Sequence, residues 1–266
     1  MKIAPQSRVL VTGAASGLGL ALVRALAARG CRILGTDVHA DRPAALDGLD
    51  SVTYRTLDVT QDVDWATARD WVVEEWGGID LVFNNAGVAA GGRIELTEMD
   101  QWQWIIDINL LGVVRGCRTF TPMLKEQGSG ALVNTSSAAG LIHPPRMSEY
   151  NAVKAGVVAL SETLFHELKP FGVHVAVVCP TFFQTNLTSS LRGKDEAAQR
   201  SAAKLIDGSK RTADDIAAIV LAQVEKGTHI ILTDREGRLA YAGKRWLRPL
   251  YYREMAKAAV RMGRKD

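Results

Sequence analysis

Short runs of apolar residues alternate along this chain with longer segments in which apolar residues recur at helical spacing. The short runs predict buried strands at 8–12, 31–36, 52–57, 79–83, 130–135, 173–178 and 229–232. Helices are predicted at 17–29, 62–76 and 148–168, and a capping box of Thr97 and Asp100 predicts a long helix to about Lys125. Strands that alternate with helices of this length are typical of a parallel sheet covered on both faces. The pattern therefore predicts a single α/β domain.

The overall composition is typical of one folded domain, whereas the C-terminal residues are unusually basic. The chain has 266 residues, of which 47% are hydrophobic and 23% charged, so it can bury a substantial core. The net charge of +3 is unevenly distributed, because residues 244–266 contain eight Lys or Arg and only two acidic residues. We expect a main domain at 1–243, followed by a basic, aromatic tail at 244–266 with a helix from about Pro249 to Met262.

The cysteines and the lengths of the apolar runs indicate where in the cell the protein is expected. Cys31, Cys117 and Cys179 are scattered and form no CxxC pair, which suggests neither a metal site nor a disulfide framework. No apolar run approaches the roughly 18 residues needed to span a bilayer. The few residues before the first strand are too short for a signal peptide. We therefore expect a cytoplasmic protein without a metal.

Tyr150 and Lys154 carry the first chemical signal. A phenol and an ammonium four residues apart on a helix share one face. A nearby cation favours the phenolate, so Lys154 should lower the pKa of Tyr150 and make it a proton donor or acceptor near neutral pH. Ser137, thirteen residues upstream, could hold the oxygen of a carbonyl or an alcohol while the proton moves.

A glycine-rich turn between the first strand and the first helix carries the second signal. Residues 12–19 read TGAASGLG, and such a turn lets backbone N–H groups approach a pyrophosphate at the helix N-terminus. Asp37 ends the second strand, where a carboxylate accepts hydrogen bonds from a ribose 2′-OH and repels a 2′-phosphate. Ser16 agrees, because no phosphate-binding arginine stands there. These residues favour NAD over NADP as the cofactor.

These features and several others occur together in one order along the chain. They are TGAASGLG (12–19), Asp58-Val59, NNAG (84–87), Asn109, Ser137, YNAVK (150–154) and Pro180 with Thr185. In this order and spacing they resemble the classical short-chain dehydrogenase/reductase family over roughly residues 7–232. The resemblance implies a Rossmann-type, doubly wound, seven-stranded parallel sheet that binds a nicotinamide cofactor, and an assembly into a homodimer or homotetramer.

The resemblance also implies roles for individual residues. The catalytic tetrad would be Asn109, Ser137, Tyr150 and Lys154. The cofactor would be bound by Gly13, Ser16, Gly17, Leu18, Gly19, Asp37, Asp58, Val59, Asn85, Ala86, Gly87, Tyr150, Lys154, Pro180 and Thr185. Asn84 and Asn85 could instead cap a strand end, and Asp58 could cap the next turn. Asparagine is mildly unfavourable inside a helix, so Asn109 predicts a local distortion.

Residues on two segments are candidates for the substrate pocket. One segment lies between Ser137 and Tyr150 and the other follows Pro180. With Ser137 and Tyr150 themselves, the predicted pocket residues are Ile142, His143, Met147, Phe182, Phe183 and Leu187. These side chains favour an apolar alcohol or ketone, although His143 and Arg146 could bind something polar.

The chain departs from the family pattern at two places. Thr181 stands where the family usually has glycine, and the Asp-Gly-Gly ending is replaced by the basic tail. Three interpretations of the tail stay open. It could be a solvated helix packed on this or a neighbouring subunit, a cover for the substrate pocket, or a peripheral attachment to an anionic membrane or lipid-bearing partner. Nucleic-acid binding is not expected, because only the basic tail favours it.

The leading functional hypothesis is an NAD-dependent oxidoreductase that interconverts a secondary alcohol and a ketone, with a small molecule as substrate. Two alternatives use the same cofactor differently. One is an epimerase or dehydratase that recycles its NAD, and the other is a non-enzymatic NAD-binding scaffold. A scaffold would be expected to have lost part of the tetrad, and all four residues are present.

Overall fold

One seven-stranded parallel sheet forms the centre of the protein. The computed structural model describes residues 2–185, 190, 192 and 194–263. The strands are β1 (Arg8–Thr12), β2 (Arg32–Asp37), β3 (Val52–Thr56), β4 (Leu81–Asn84), β5 (Gly130–Thr135), β6 (Val173–Val178) and β7 (Ile230–Ile231). Their order in the sheet is β3-β2-β1-β4-β5-β6-β7, and every neighbouring pair is parallel. The predicted fold is confirmed.

Helices connect the strands. They are α1 (Gly17–Ala27), α2 (Asp62–Trp76), α3 (Met99–Ile106), α4 (Gly112–Gln127), α5 (Ala139–Ile142), α6 (Ser148–Leu168), α7 (Glu196–Asp207), α8 (Ala213–Glu225), α9 (Arg235–Trp246) and α10 (Arg248–Gly263). Three 3₁₀ turns occur at Ala44–Leu46, Ile94–Leu96 and Lys169–Phe171. None of the helices formed by the described residues is long and apolar enough to cross a membrane.

Two hydrophobic layers cover the sheet. Successive side chains of a strand point to opposite faces, so Val9 and Val11 of β1 pack against α1 and α8, whereas Leu10 packs against α2, α4 and α6. The central strands are buried on both faces, which explains their unbroken apolar sequence. Leu10, Val11 and Phe83 are fully buried.

The long helix predicted from Thr97 to Lys125 is interrupted. α3 ends at Ile106, a single π-helical turn covers Asp107–Leu111, and α4 follows. The predicted capping box is wrong: Glu98 is the N-cap residue, and the Thr97 hydroxyl donates to the carbonyl oxygen of Arg93 instead. Local sequence preference was overridden here by the preceding 3₁₀ turn, to which the Thr97 hydroxyl is bound.

The C-terminal region forms two helices rather than one. The predicted helix at Pro249–Met262 corresponds to α10, but α9 was not predicted. The predicted division after Gly243 falls inside α9, so the basic tail begins within a helix. The N-cap residue of α9 is Asp234, whose carboxylate accepts a hydrogen bond from Gly237 N at 2.6 Å.

Candidate active site

The carboxyl ends of β1, β2, β4, β5 and β6 meet at one edge of the sheet and carry most of the predicted site residues. β1 lies between β2 and β4, so the chain crosses from one side of β1 to the other at this point. In open α/β sheets, ligands bind outside the carboxyl ends of the strands at such a switch point. The fold therefore brings the glycine-rich turn, Asp37, the 84–87 segment and Ser137 to the same edge.

The turn between β1 and α1 is built closely around its glycines. Gly17 has a φ of +52°, and a Cβ there would lie 2.6 Å from Thr185 Oγ1. A Cβ on Gly19 would lie 1.9 Å from the carbonyl oxygen of Gly13. Gly13 in turn lies against Ala86 at the end of β4. Ser16 is the extended N-cap residue of α1 and Leu18 is buried beneath the turn. This narrow turn at a helix N-terminus fits the phosphates of a dinucleotide.

Asp37 is fixed beside this turn. Its carboxylate accepts hydrogen bonds from Ala15 N at 3.0 Å and from His39 N at 3.2 Å. The first of these ties the end of β2 to the glycine-rich turn. The carboxylate is thus held where the ribose next to the phosphates of a dinucleotide would lie.

The segment after β4 is bound to β1 and β5. Thr12 Oγ1 accepts hydrogen bonds from the backbone N–H groups of Asn85 and Ala86, each at 3.0 Å. Asn85 Nδ2 donates to the Thr12 carbonyl oxygen at 2.9 Å, and Asn85 Oδ1 accepts from Thr135 Oγ1 at 3.3 Å. Asn84 is buried and donates to Asn134 Oδ1 of β5 at 2.8 Å. The two asparagines therefore hold strand ends together, which places Ala86 and Gly87 at the rim of the site.

Asp58 and Val59 lie after β3 and make local structural contacts. Asp58 Oδ1 accepts from the N–H and the hydroxyl of Thr60, which caps the turn before α2. Val59 is buried, and Trp65 Nε1 donates to its carbonyl oxygen at 3.1 Å. The alternative interpretation of Asp58 as a turn cap thus has direct support in these contacts.

Asn109 lies in the π-helical turn, as its unfavourable place in a helix indicated. It is fully buried, and its amide makes two hydrogen bonds to the backbone of Val88, one from Nδ2 to the carbonyl oxygen at 2.9 Å and one to Oδ1 from the N–H at 2.8 Å. A Cβ on Gly87 would lie 3.0 Å from Asn109 Oδ1 and 3.6 Å from Lys154 Nζ. π-helical turns frequently occur at functional sites. Here the turn brings Asn109 to the segment that faces Lys154.

The side chains of Ser137 and Tyr150 lie next to each other. Ser137 follows β5, and its Oγ accepts from Ala139 N at 3.1 Å and lies 3.5 Å from the carbonyl oxygen of Pro180. Tyr150 lies in the first turn of α6 and is largely buried. Burial raises the pKa of Tyr150 to about 12, and the neighbouring Ser137 hydroxyl offsets this rise only partly.

The sequence-based expectation for the pKa of Tyr150 is therefore wrong in direction. Lys154 Nζ lies 5.8 Å from the centre of the Tyr150 ring and donates to the Thr135 carbonyl oxygen at 3.0 Å. Burial lowers the pKa of Lys154 itself to about 8. The four-residue spacing correctly placed the two side chains together, but the removal of both from water disfavours the charged form of each.

Pro180 and Thr181 continue from β6 past Ser137. The carbonyl oxygen of Pro180 accepts a hydrogen bond from Ala138 N at 2.8 Å. The Thr181 hydroxyl, at the position where glycine was expected, donates to the buried carboxylate of Asp234. The departure from the family pattern is thus compensated by a partner at the start of α9.

The predicted substrate-pocket residues do not all come together. Met147 packs in a cluster with Tyr150, as do residues that sequence reasoning missed, namely Val88, Ala90, Trp104 and Ile105. Phe183 packs instead against the core formed by α1 and α8, and Phe182 is exposed. Ile142 packs against the opposite core layer, and His143 binds Lys244 of α9. Leu187 lies outside the described residues.

Comparisons with known proteins identify the family of this chain. A family model described as short chain dehydrogenase matches residues 7–196. A 3-alpha-(or 20-beta)-hydroxysteroid dehydrogenase of Mycobacterium tuberculosis is 36% identical over 181 residues, which are 67% of this chain and 70% of that protein. An NADP-dependent (R)-specific alcohol dehydrogenase of Lentilactobacillus kefiri is 31% identical over 194 residues, covering 70% and 77% of the two chains.

A solved structure resembles the whole fold. The short chain dehydrogenase/reductase of Burkholderia phymatum in complex with NAD superposes with a TM-score of 0.82 and 32% identity, and the match covers 88% of this chain and 90% of that one.

Proposed function

This chain belongs to the short-chain dehydrogenase/reductase family, an oxidoreductase family whose members act on hydroxyl and ketone groups, and from that membership we propose its reaction. The proposed reaction is the NAD-dependent interconversion of a secondary alcohol and a ketone on an apolar small molecule. The observation that carries the proposal is the placement of Ser137 next to Tyr150, with the buried Lys154 beside them. This pair lies at the edge of the sheet where the glycine-rich turn fits a dinucleotide.

Ser137 and Tyr150 would bind the oxygen of the substrate. Two neighbouring hydroxyl groups can both donate to one carbonyl oxygen, which would fix the position of the reacting carbon. A bound nicotinamide supplies or accepts the hydride. Tyr150 would donate its proton to the ketone oxygen in reduction and accept it from the alcohol in oxidation.

Lys154 and Asn109 would support this proton transfer. Lys154 is cationic below its pKa of about 8 and would stabilise the phenolate form of Tyr150 that oxidation requires. Asn109 is held against Val88, and its Oδ1 lies next to Gly87 on the side that also faces Lys154 Nζ. Asn109 would therefore keep the backbone at Gly87 and Val88 in place next to Lys154. Protons would be exchanged with Tyr150 by way of that lysine.

The choice of NAD depends on Asp37. A carboxylate fixed by Ala15 N and His39 N beside the phosphate turn favours a free ribose 2′-OH and repels a 2′-phosphate. Ser16 and the rest of the turn add no positive charge there. The Burkholderia phymatum neighbour was solved with NAD, whereas the Lentilactobacillus kefiri relative is NADP-dependent, so the family alone does not decide the cofactor.

The substrate is proposed to be apolar. The side chains that cluster with Tyr150 are Val88, Ala90, Trp104, Ile105 and Met147. Among the described residues no group of His, Cys, Asp and Glu is arranged to hold a metal ion. The names of relatives include dehydrogenases of a hydroxysteroid and of trans-4-hydroxycyclohexanecarboxylate. A cyclic secondary alcohol is accordingly the first class to test. We also propose that the protein is a cytoplasmic homodimer or homotetramer, as expected from the sequence.

A panel of secondary alcohols tests this function. Androsterone, cyclohexanol, trans-4-hydroxycyclohexanecarboxylate, 1-phenylethanol and 3-hydroxybutyrate are offered with NAD or NADP, and reduced cofactor is followed by absorbance. The proposal expects one NADH for each ketone formed from a cyclic or aromatic alcohol, and a higher kcat/KM with NAD. Substrate conversion without NADH release would indicate an epimerase or dehydratase. Tight NAD binding without any turnover would indicate a scaffold.

A further inference from the structure

The short helix α5 connects the proposed substrate-binding hydroxyl to the C-terminal region. Its first residue, Ala139, donates its backbone N–H to Ser137 Oγ at 3.1 Å. Ala138, just before it, donates to the carbonyl oxygen of Pro180. The orientation of Ser137 is therefore set by the start of α5, and a shift of this helix would move the hydroxyl with it.

The other end of α5 is bound by two side chains from the last two helices. Lys244 Nζ of α9 donates to the carbonyl oxygen of Leu141 at 2.6 Å, and Tyr251 Oη of α10 donates to that of Ile142 at 2.5 Å. The last carbonyl groups of a helix have no partner within the helix. A cation is favourable at this end. α5 has only four residues, so these two bonds are a large part of what fixes its C-terminus.

His143 strengthens the same contact. It follows α5 with a φ of +53°, a left-handed conformation that is uncommon outside glycine. Lys244 Nζ lies 2.6 Å from His143 Nδ1, and His143 Nε2 lies 3.1 Å from the carbonyl oxygen of Gly140. An ammonium group can only donate, so Nδ1 accepts and the hydrogen of the neutral ring is on Nε2. Lys244 thus binds both the Leu141 carbonyl group within α5 and the strained residue that follows the helix.

The start of α9 is also bound, to the chain segment that follows β6. Asp234 caps α9 and accepts the hydrogen bond from Thr181, the residue next to Pro180. The carbonyl oxygen of Pro180 binds Ala138 N and lies 3.5 Å from Ser137 Oγ. α9 therefore bonds to both chain segments that flank Ser137, through Asp234 at its start and Lys244 near its end.

We propose that residues 234–263, the C-terminal extension, position Ser137 for the substrate oxygen by holding the β6 segment and the end of α5 at a fixed separation. The proposal rests on the proposed function of Ser137. Lys244, Tyr251 and Thr181 are positioning residues and need not touch the substrate. Most of α10 is exposed, so the bond from Tyr251 is a principal contact of this helix with the site.

The test compares two double variants of the full-length protein. Lys244→Met with Tyr251→Phe removes both bonds to α5. Arg245→Met with Tyr252→Phe changes the adjacent exposed residues and is the matched control. Arg245 binds Tyr241 Oη, and phenylalanine at position 252 keeps the ring that packs against Tyr251. Hydrogen–deuterium exchange of the peptide that contains residues 139–147 is measured first, because it needs no substrate. Kinetics follow with cyclohexanol and androsterone as probes.

The proposal expects faster exchange of residues 139–143 in the first variant only, with α6 unchanged. It expects kcat/KM for the alcohol to fall by about tenfold or more, the equivalent of one or two net hydrogen bonds, with the Kd for NAD unchanged. In a Ser137→Ala background the same double substitution should have no further kinetic effect, because its action passes through Ser137.

Unchanged exchange at 139–143 would overturn the proposal, and so would faster exchange with an unchanged kcat/KM. A kinetic loss that persists in the Ser137→Ala background would also overturn it, since a general loss of structure would act regardless of Ser137. If the wild-type protein oxidises none of the alcohols, the proposed function fails. The exchange data then decide by themselves whether the extension holds α5.

Discussion

Replacement of Lys154 by methionine should make the cofactor-free protein more stable while it removes activity. Lys154 is buried, and burial lowers its pKa from the usual 10.5 to about 8. The charged form is therefore less favourable in the folded than in the unfolded protein. Each pKa unit corresponds to about 1.4 kcal/mol, so the charge lowers the free energy of unfolding by about 3 kcal/mol at pH 7.

Methionine also loses the hydrogen bond from Lys154 to Thr135, which is worth about 1 kcal/mol. The expected net gain in the free energy of unfolding at pH 7 is about 2 kcal/mol. Between the folded pKa of about 8 and the unfolded value of 10.5, the unfolded chain binds more protons, so the wild-type protein gains stability as pH rises. By about pH 10 the cost of the charge has fallen to about 1 kcal/mol, and the advantage of the variant should vanish.

Urea unfolding followed by tryptophan fluorescence measures this difference at both pH values. Lys226→Met is the control, because this substitution of an exposed side chain should change the free energy of unfolding by less than about 0.5 kcal/mol. A stability difference between Lys154→Met and wild type that is the same at pH 7 and pH 10 would refute the reasoning. Such a result would mean that the ammonium is not desolvated in the folded protein.

Three further outcomes follow from the site. Asp37→Ala should raise the ratio of kcat/KM for NADP to that for NAD by about tenfold or more, because the carboxylate repels a 2′-phosphate; an unchanged ratio would remove Asp37 from cofactor choice. Gly17→Ala should raise the KM for NAD, because the added Cβ would lie 2.6 Å from Thr185 Oγ1. Gly128 has a similar positive φ and open surroundings, so Gly128→Ala should only lower the free energy of unfolding, by about 1–2 kcal/mol. Burial raises the pKa of Tyr150 to about 12 and keeps its proton on the phenol. The rate of ketone reduction should therefore stay nearly constant from about pH 6 to pH 7.5, while the rate of alcohol oxidation rises with pH. A fall in the reduction rate over that range would contradict this.

The sheet and the site edge could be predicted because local patterns encode them directly. The unbroken apolar run of β1 requires burial on both faces, and the glycines after it fit only a tight turn at a helix start. Asn109 was predicted to distort a helix, and the structure has a π-helical turn there. Such features depend on residues that are near one another in the sequence.

The missed features depend on burial or on distant partners. The spacing of Tyr150 and Lys154 gives their proximity but not their exposure, so the direction of the pKa shift of Tyr150 could not be read from it. Lys244 binds Leu141 and Tyr251 binds Ile142, contacts across more than 100 residues that no periodicity records. Trp104 and Ile105 of α3 pack with Tyr150 of α6, a contact between helices that are far apart in the sequence.

The most direct test of the proposed chemistry is Tyr150→Phe, measured with the best alcohol of the panel and with NAD binding followed separately by fluorescence. Phenylalanine keeps the ring and removes only the hydroxyl that exchanges the proton. We predict that kcat falls by about 10³-fold, within the range expected for loss of a general acid–base group, and that the Kd for NAD changes by less than about threefold. Turnover close to that of the wild-type protein would contradict the assignment of Tyr150 as the proton donor and acceptor.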